Sequence, residues 1–435
     1  MNVLLKNLSI ITQNKNRDIF NGDILIEGNR IKRVEKKIPN SGFQELDLAG
    51  LTAIPGLIQT HVHICQTLFR NLADDLELLD WLENRIWPME MAHTESSLKA
   101  SAQLGIYEIL SSGVTTILDM GSANKMDIIF EEIQTSGIRA FCGKVMMDSG
   151  NQPYKESTQE SLKTTETLIK NWHGKANGRI QYALAPRFVP SCSNDLWEGT
   201  KEASNNYNLL IHTHSSENKK ELELVKQQTG FTNIEFFVKN NLASDKLCLA
   251  HCIWVTQQEI EYLKDYQINV LHCPSANLKL GSGIAPIPTM LQKGINVSIG
   301  SDGAPCNNNM DIFTDMRLAA LIHKPQNGVV SINAENLFDM VTTAGAKTVG
   351  LEDKIGSIEP GKLADITFLN LNKVHTVPAD NVYSQIVYSA HSTDVTHVMV
   401  DGNWVVQDCI PLGYDEEEVI HHAWEECNML INRIA

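Results

Sequence analysis

The sequence predicts an α/β protein: a (β/α)8 barrel of the TIM type that carries a small β-sandwich formed from both chain ends. Between residues 55 and 357 short apolar runs alternate with helix-period segments, and the runs number eight, the count that closes a parallel barrel. The two ends share a different pattern, short apolar-polar alternation broken by turn residues, which suits them to pair with one another. The expected domains are residues 1–54 and 358–435 for the two parts of the sandwich, the latter with a C-terminal helix, and 55–357 for the barrel.

At the N-terminus, DILIEGNRIKRVE sets Gly28 and Asn29 between two alternating runs, as a hairpin requires. At the other end, ADITFLNL (364–371) and THVMVDGNWVVQD (396–408), with an Asp401-Gly402 turn, are its expected partners. The eight barrel strands are expected near 56–63, 114–119, 139–145, 179–186, 208–214, 246–251, 268–272 and 295–302. Between the first two lies ESSLKASAQLGIYEILSSG, a helix with Thr94 as N-cap and Gly113 as terminator.

With 435 residues, 43% hydrophobic and 20% charged, the chain is long enough for one large domain and a smaller one. A formal charge of −16 argues against nucleic acid or an anionic membrane as partner, because both demand clustered Lys and Arg. A small ligand is the expected partner. No run approaches a membrane span or a signal peptide, and nine cysteines without a CxxC pair suit free thiols, so a cytoplasmic location is expected.

A (β/α)8 barrel does its chemistry at the C-terminal ends of its strands. Here those ends carry His61 and His63, Asp119, Lys144, Arg187, His214, His251, His272 and Asp302. In GLIQTHVHICQ (56–66), His61 and His63 are two apart on a strand and face one way, so both can hold one cation through neutral nitrogens. His214 and Asp302 at equivalent ends complete a set of three nitrogens and a carboxylate. His212 is the alternative ligand in LLIHTHSSEN; His214 is preferred because it lies nearer the strand end and three residues before Glu217. His212 then reads as a buried histidine supporting a ligand. His251 in CLAHC and Asp302 in VSIGSDGAP sit in apolar strands where a polar group is costly without a partner. Metal chemistry and a structural loop role are equally open for His272 in LHCPSAN. Cys65, Cys252 and Cys273 read as small core residues.

These motifs, together with ADDLELLDWLENRIWPME (73–90), SANLKLGSGIAP (275–286) and IEPGKLADI (358–366), resemble the metal-dependent amidohydrolase superfamily over essentially the whole chain. Within it the resemblance is to adenosine-type aminohydrolases, the 5′-deoxyadenosine deaminases and methylthioadenosine/S-adenosylhomocysteine deaminases. It implies a distorted barrel, a sandwich from both termini and one metal per subunit, zinc with iron or manganese as alternatives. It also implies a homo-oligomer. By motif, His61, His63, His214 and Asp302 would bind the metal, while Glu217, His251 and Asp302 would be catalytic. The implied reaction is hydrolytic deamination of an adenosine-type nucleoside to the inosine analogue and ammonia. Glu217 would protonate the purine ring nitrogen, and Asp302 and His251 would handle the protons of the attacking water.

The resemblance further implies that Trp81 and Glu90 reach a ribose, a carboxylate being suited to two adjacent hydroxyls. Two departures bear on the substrate. Lys144 stands where S-adenosylhomocysteine-type enzymes carry arginines, which favours a small 5′ substituent. Arg187, where those enzymes place a histidine, and Gln66 resemble guanine-type sites, so guanine or 8-oxoguanine is the competing substrate. Triazine chlorohydrolases share the scaffold and stay open, as does a metal-binding barrel without turnover, which would have no use for Glu217 and His251.

Overall fold

The computed structural model describes residues 2–40, 42–150 and 155–434, so Met1, Ala435 and residues 41 and 151–154 within the expected domains lie outside the described residues. Strands from both chain ends join one nine-stranded sheet. Its seam is the antiparallel pairing of Thr52–Pro55 with Ile366–Leu369. Period-2 side chains such as Val3, Leu5, Ile24, Ile26, Ile366 and Phe368 bury one cluster beneath it.

The two turns read from the sequence meet each other in space. Gly28 and Gly402 both take left-handed backbone, at φ +64° and +73°. A Cβ on Gly402 would lie 2.5 Å from the carbonyl oxygen of Gly28, so only glycine allows the approach. Asn29 Nδ2 then donates to Asp401 Oδ1 at 2.9 Å, tying the N-terminal hairpin to the C-terminal one.

Between these ends the strands are parallel and alternate with helices. Leu57–Val62, Val114–Asp119, Arg139–Cys142 and Ile180–Tyr182 form one four-stranded sheet. Ile211–Ser215, Leu247–His251, Asn269–His272 and Val297–Ile299 form another. Parallel bridges link the two sets on both sides, Leu184 with Ile211 and Phe188 with His214 on one, Val62 with Asp302 on the other. The third and fourth expected strands are each split, resuming as Val145–Met146 and Ala185–Pro186. Between the two breaks, a Cβ on Gly143 would sit 1.8 Å from the carbonyl oxygen of Ala183, so only glycine allows this close approach.

The helix Glu95–Ser111 follows its sequence signals. The Thr94 side chain accepts from Ser97 N, and Gly113 takes φ +82° after the last turn. The 65–95 segment folds as short helical turns whose Leu68, Phe69, Leu78, Trp81 and Leu82 pack with Ala423 and Leu430 of the C-terminal helix Glu416–Ile434. Among the described residues, no helix is long and apolar enough to cross a membrane.

Candidate active site

The strand ends bring the expected ligands to one point. His61 Nε2 and His63 Nε2 lie 3.4 and 3.3 Å from Asp302 Oδ1, and His63 Nε2 lies 3.3 Å from His214 Nε2. Nitrogen and oxygen ligands at 2.0–2.1 Å around a tetrahedral zinc are about 3.3–3.4 Å from one another. The donor spacing therefore fits a divalent cation of that size, and His61 Nε2 is a buried nitrogen with no hydrogen-bond partner among the described residues.

Each ligand is aimed from behind. His214 Nδ1 donates to the carbonyl oxygen of Arg187 at 2.6 Å, which leaves Nε2 as the lone-pair side facing the centre. His61 Nδ1 shares a hydrogen with His212 Nε2 at 2.7 Å, so His212 stands directly behind His61. Asp302 arrives through close strand contact. A Cβ on Gly300 would meet the backbone of His61 at 2.5 Å, and Asp302 N donates to His61 O at 2.9 Å. Asp302 and His251 adopt φ of +65° and +74°, strained values for side-chain-bearing residues that cost about 1–3 kcal/mol each. That strain turns both side chains inward at the ends of their strands.

Electrostatics separate the roles. Burial alone would raise the Asp302 carboxyl, but the surrounding His61, His63 and His251 hold it well below the usual carboxylate range. Burial keeps His63 and His214 neutral, the form in which imidazole binds metals. Burial, then the charges of Asp302 and Glu221, push the Glu217 carboxyl well above its ordinary value. Two neighbouring carboxyl groups are thus driven in opposite directions, Asp302 down and Glu217 up.

Glu217 and His251 occupy the open side. His251 Nε2 lies 3.4 Å from Glu217 Oε2 and 3.8 Å from Asp302 Oδ2, and its Nδ1 is held by Asn277 Oδ1 at 2.8 Å. Asp302 therefore turns one oxygen to the imidazole ligands and the other to His251. Glu217 sits on a turn locked by Glu221, whose carboxylate accepts from the backbone nitrogens of Ser216, Glu217 and Asn218. Glu221 and Asn277 escaped the sequence reading. A Glu four residues after Glu217 and an Asn five after His272 are ordinary loop and cap chemistry until the strands are assembled.

A narrow cavity of about 30 Å³ opens onto this centre. Gln66, Trp81 and Arg187 line it together with His63, His214, Glu217, His251 and Asp302. Leu78, Leu82, Phe188 and Leu280 supply its apolar wall. Glu90 stands behind Gln66 and Arg187. It accepts from Gln66 Nε2 at 2.7 Å on one oxygen and from Arg187 Nη1 at 2.8 Å on the other. Lys144 is not brought to this cavity; its Nζ pairs with Glu156 and donates to the carbonyl oxygen of Val145 at 3.0 Å. Asp119 has a local task, accepting from Ile64 N at 2.9 Å and from the Cys142 thiol at 3.0 Å. His272 is buried with its ring 5.4 Å from that of His323.

Residues 52–405 match the amidohydrolase family. A 5′-deoxyadenosine deaminase of Methanocaldococcus jannaschii is 39% identical over 412 residues, covering 94% of this chain and 96% of the relative. A 5-methylthioadenosine/S-adenosylhomocysteine deaminase of Syntrophomonas wolfei is 35% identical, with all of both chains covered. Among solved structures, an adenosine deaminase from Xanthomonas campestris with bound zinc superposes with a TM-score of 0.92 at 26% identity, covering 99% of this chain and 98% of that one. A zinc complex of atrazine chlorohydrolase from Arthrobacter aurescens gives the same TM-score and identity, with coverage of 98% and 100%.

Proposed function

The chain belongs to the amidohydrolase family, and on that premise we propose that it is a metal-dependent deaminase converting an adenosine-type nucleoside to its inosine analogue and ammonia. The observation that carries this reading is the separation of roles around Asp302: the imidazoles of His61 and His63 on one of its oxygens, with His214 beside His63, and on the other oxygen His251, which in turn meets Glu217. A purely metal-binding site has no use for that second set.

His61, His63, His214 and Asp302 hold one cation, zinc before iron or manganese, and neutral imidazoles with one carboxylate suit it. When bound, the cation supplies Lewis acidity and a water that is nucleophilic near neutral pH. Glu217, whose carboxyl burial pushes well above its ordinary value, gives its proton to the purine ring nitrogen beside the reacting carbon. Asp302 accepts a proton from the attacking water while His251, held by Asn277, orients that water. The water oxygen bonds to the carbon, a proton passes to the amino group, the C–N bond breaks and ammonia leaves. Trp81 packs the nucleoside, and Glu90 accepts from its ribose hydroxyls. The relatives named as 5′-deoxyadenosine deaminases, and a Lys144 engaged by Glu156, favour a small 5′ substituent over an amino-acid tail.

Several broader features belong to the same reading. The bridges on both sides of the two parallel sheets support closure into a (β/α)8 barrel over 55–357. The single sheet from both ends supports a sandwich domain over 1–54 and 358–435. Nine free thiols suit the cytoplasm, and a homo-oligomer follows from the family resemblance. Guanine is the second reading, favoured by Gln66 and Arg187 on the cavity wall.

The test is turnover of 5′-deoxyadenosine by the zinc-loaded protein and by Glu217→Gln. Turnover in the first, lost in the second with zinc content unchanged, is expected. Equal turnover in both would remove Glu217 from the mechanism.

A further inference from the structure

Leu78, Trp81 and Leu82 reach the cavity from a segment that closes over the strand ends. The space left beneath them is about 30 Å³, room for about two or three water molecules. Pockets that hold small-molecule ligands measure about 300–1,000 Å³. A bicyclic purine base does not fit in the space this structure leaves, and a nucleoside fits still less. Part of the wall must move before either reaches the strand ends.

The backbone shows which part. On either side of the segment the chain is tied to the C-terminal helix: the Cys427 thiol donates to the carbonyl oxygen of Leu68 at 3.4 Å, and Arg433 Nε donates to that of Ala92 at 2.8 Å. Between these ties the regular backbone is interrupted at two places. Asn71 and Asp75 take left-handed backbone at φ +63° and +59°, and Leu82–Ile86 is a π-helical turn between the short helices Leu78–Trp81 and Trp87–Met91. Asn and Asp enter the left-handed region more readily than other side-chain-bearing residues, and a π turn is one of the few places where a helix kinks. Residues 72–82 are thus a flap bracketed by two bends, with Leu78, Trp81 and Leu82 buried beneath it and Asp74, Asp75, Glu77 and Asp80 exposed on top.

Two lysines from the opposite rim hold its outer edge. Lys220, three residues after Glu217, pairs with Glu77 at 2.5 Å. Lys279, at the end of the short helix Pro274–Lys279, pairs with Asp74 at 2.5 Å. The same ammonium donates to the carbonyl oxygen of Pro305 and to Asn308 Oδ1, both at 2.8 Å, in the stretch that follows Asp302. Asn308 Nδ2 adds a bond to Asp74 Oδ1 at 3.3 Å. The Lys220 and Glu77 side chains are 55% and 61% exposed, and ion pairs that open to water are weak. Such pairs suit a fastening that must be undone at each turnover.

We propose that residues 72–82 are a flap that opens to admit the purine and closes over it, and that Lys220 and Lys279 are positioning residues that latch it through Glu77 and Asp74. The inference rests on a purine ligand, as read above, and holds for a nucleoside and a free base alike. Opening carries Leu78 and Trp81 away from the strand ends and parts both ion pairs. Closing restores them and excludes bulk water, while the candidate metal ligands stay on their strands.

The experiment joins Glu77→Cys/Lys220→Cys in the zinc-loaded protein with a short bismaleimide whose linker a reductant cleaves, the two single-cysteine variants being treated alike. Turnover of 5′-deoxyadenosine and of guanine is read before joining, after it and after cleavage. Joining is expected to lower turnover about tenfold or more in the double variant alone, with zinc content and Tm kept, and cleavage to restore it. A second measurement follows amide hydrogen exchange over residues 72–82 in the wild type, Asp74→Asn and Glu77→Gln. Loss of one exposed ion pair shifts an equilibrium by about two- to fivefold, so exchange should quicken by that factor there and stay unchanged in the strand Leu57–Val62. Full turnover by the joined protein, or exchange over 72–82 that neither variant quickens, would overturn the flap. Turnover of neither purine before joining would overturn the deaminase reading instead, and the exchange measurement would still judge the flap.

Discussion

The two sides of the cavity are built differently. The proposed metal side rests on strands: His61, His63, His214 and His251 come from the ends of parallel strands or the residue next to them, and Asp302, three residues past the strand Val297–Ile299, is held by a parallel bridge to Val62. The substrate side rests on the 65–95 segment of short helical turns, held by Leu78, Trp81 and Leu82 packing and by the Glu90 clamp. On the proposed reading, chemistry that must hold a cation within tenths of an ångström falls on the strand frame, and recognition falls on the loop-rich segment.

If that contrast is right, perturbing the metal side should cost far more than perturbing the other. Asp302→Asn removes both a ligand charge and a proton acceptor, and a loss of kcat of about 10³-fold or more is expected, with reduced zinc content by metal analysis. Chelation of the wild type should abolish turnover and lower Tm, both restored by zinc, because a ligand that binds only the folded state stabilises it by mass action. Glu217→Gln should lower kcat about 10²- to 10⁴-fold while zinc content stays constant, separating proton transfer from metal binding. On the substrate side, Trp81→Phe keeps the apolar body and should raise KM several-fold with kcat nearly unchanged, a uniform-binding loss read by steady-state kinetics. The smallest effect on activity is expected from Lys144→Met, since its partner Glu156 lies off the cavity; kcat/KM close to wild type would agree, and a loss confined to S-adenosylhomocysteine would return Lys144 to the substrate site.

The same contrast explains what the sequence disclosed. His61 and His63 are legible because a strand alternates with period two, and Asp302 because an acid between an apolar run and glycines needs a reason. Thr94 and Gly113 mark their helix by local chemistry alone. The clamp on Glu90 is not legible, because Gln66, Glu90 and Arg187 are 24 and 97 residues apart and meet only after the barrel-forming strands and the 65–95 segment assemble. Lys144 misled for a related reason. Strand register places it at a strand end, but its side chain pairs with Glu156, which follows twelve residues later, away from the cavity. Glu221 and Asn277 hold Glu217 and His251 through loop geometry that no periodicity encodes.

The most direct measurement is ammonia release by the zinc-loaded wild type with 5′-deoxyadenosine, methylthioadenosine, adenosine, S-adenosylhomocysteine, guanine and 8-oxoguanine in parallel, compared as kcat/KM. Preference for the nucleosides, highest where the 5′ substituent is small, is the expected result. Preference for a free guanine base would contradict it, and would make Gln66 and Arg187 readers of the base instead of supports for Glu90.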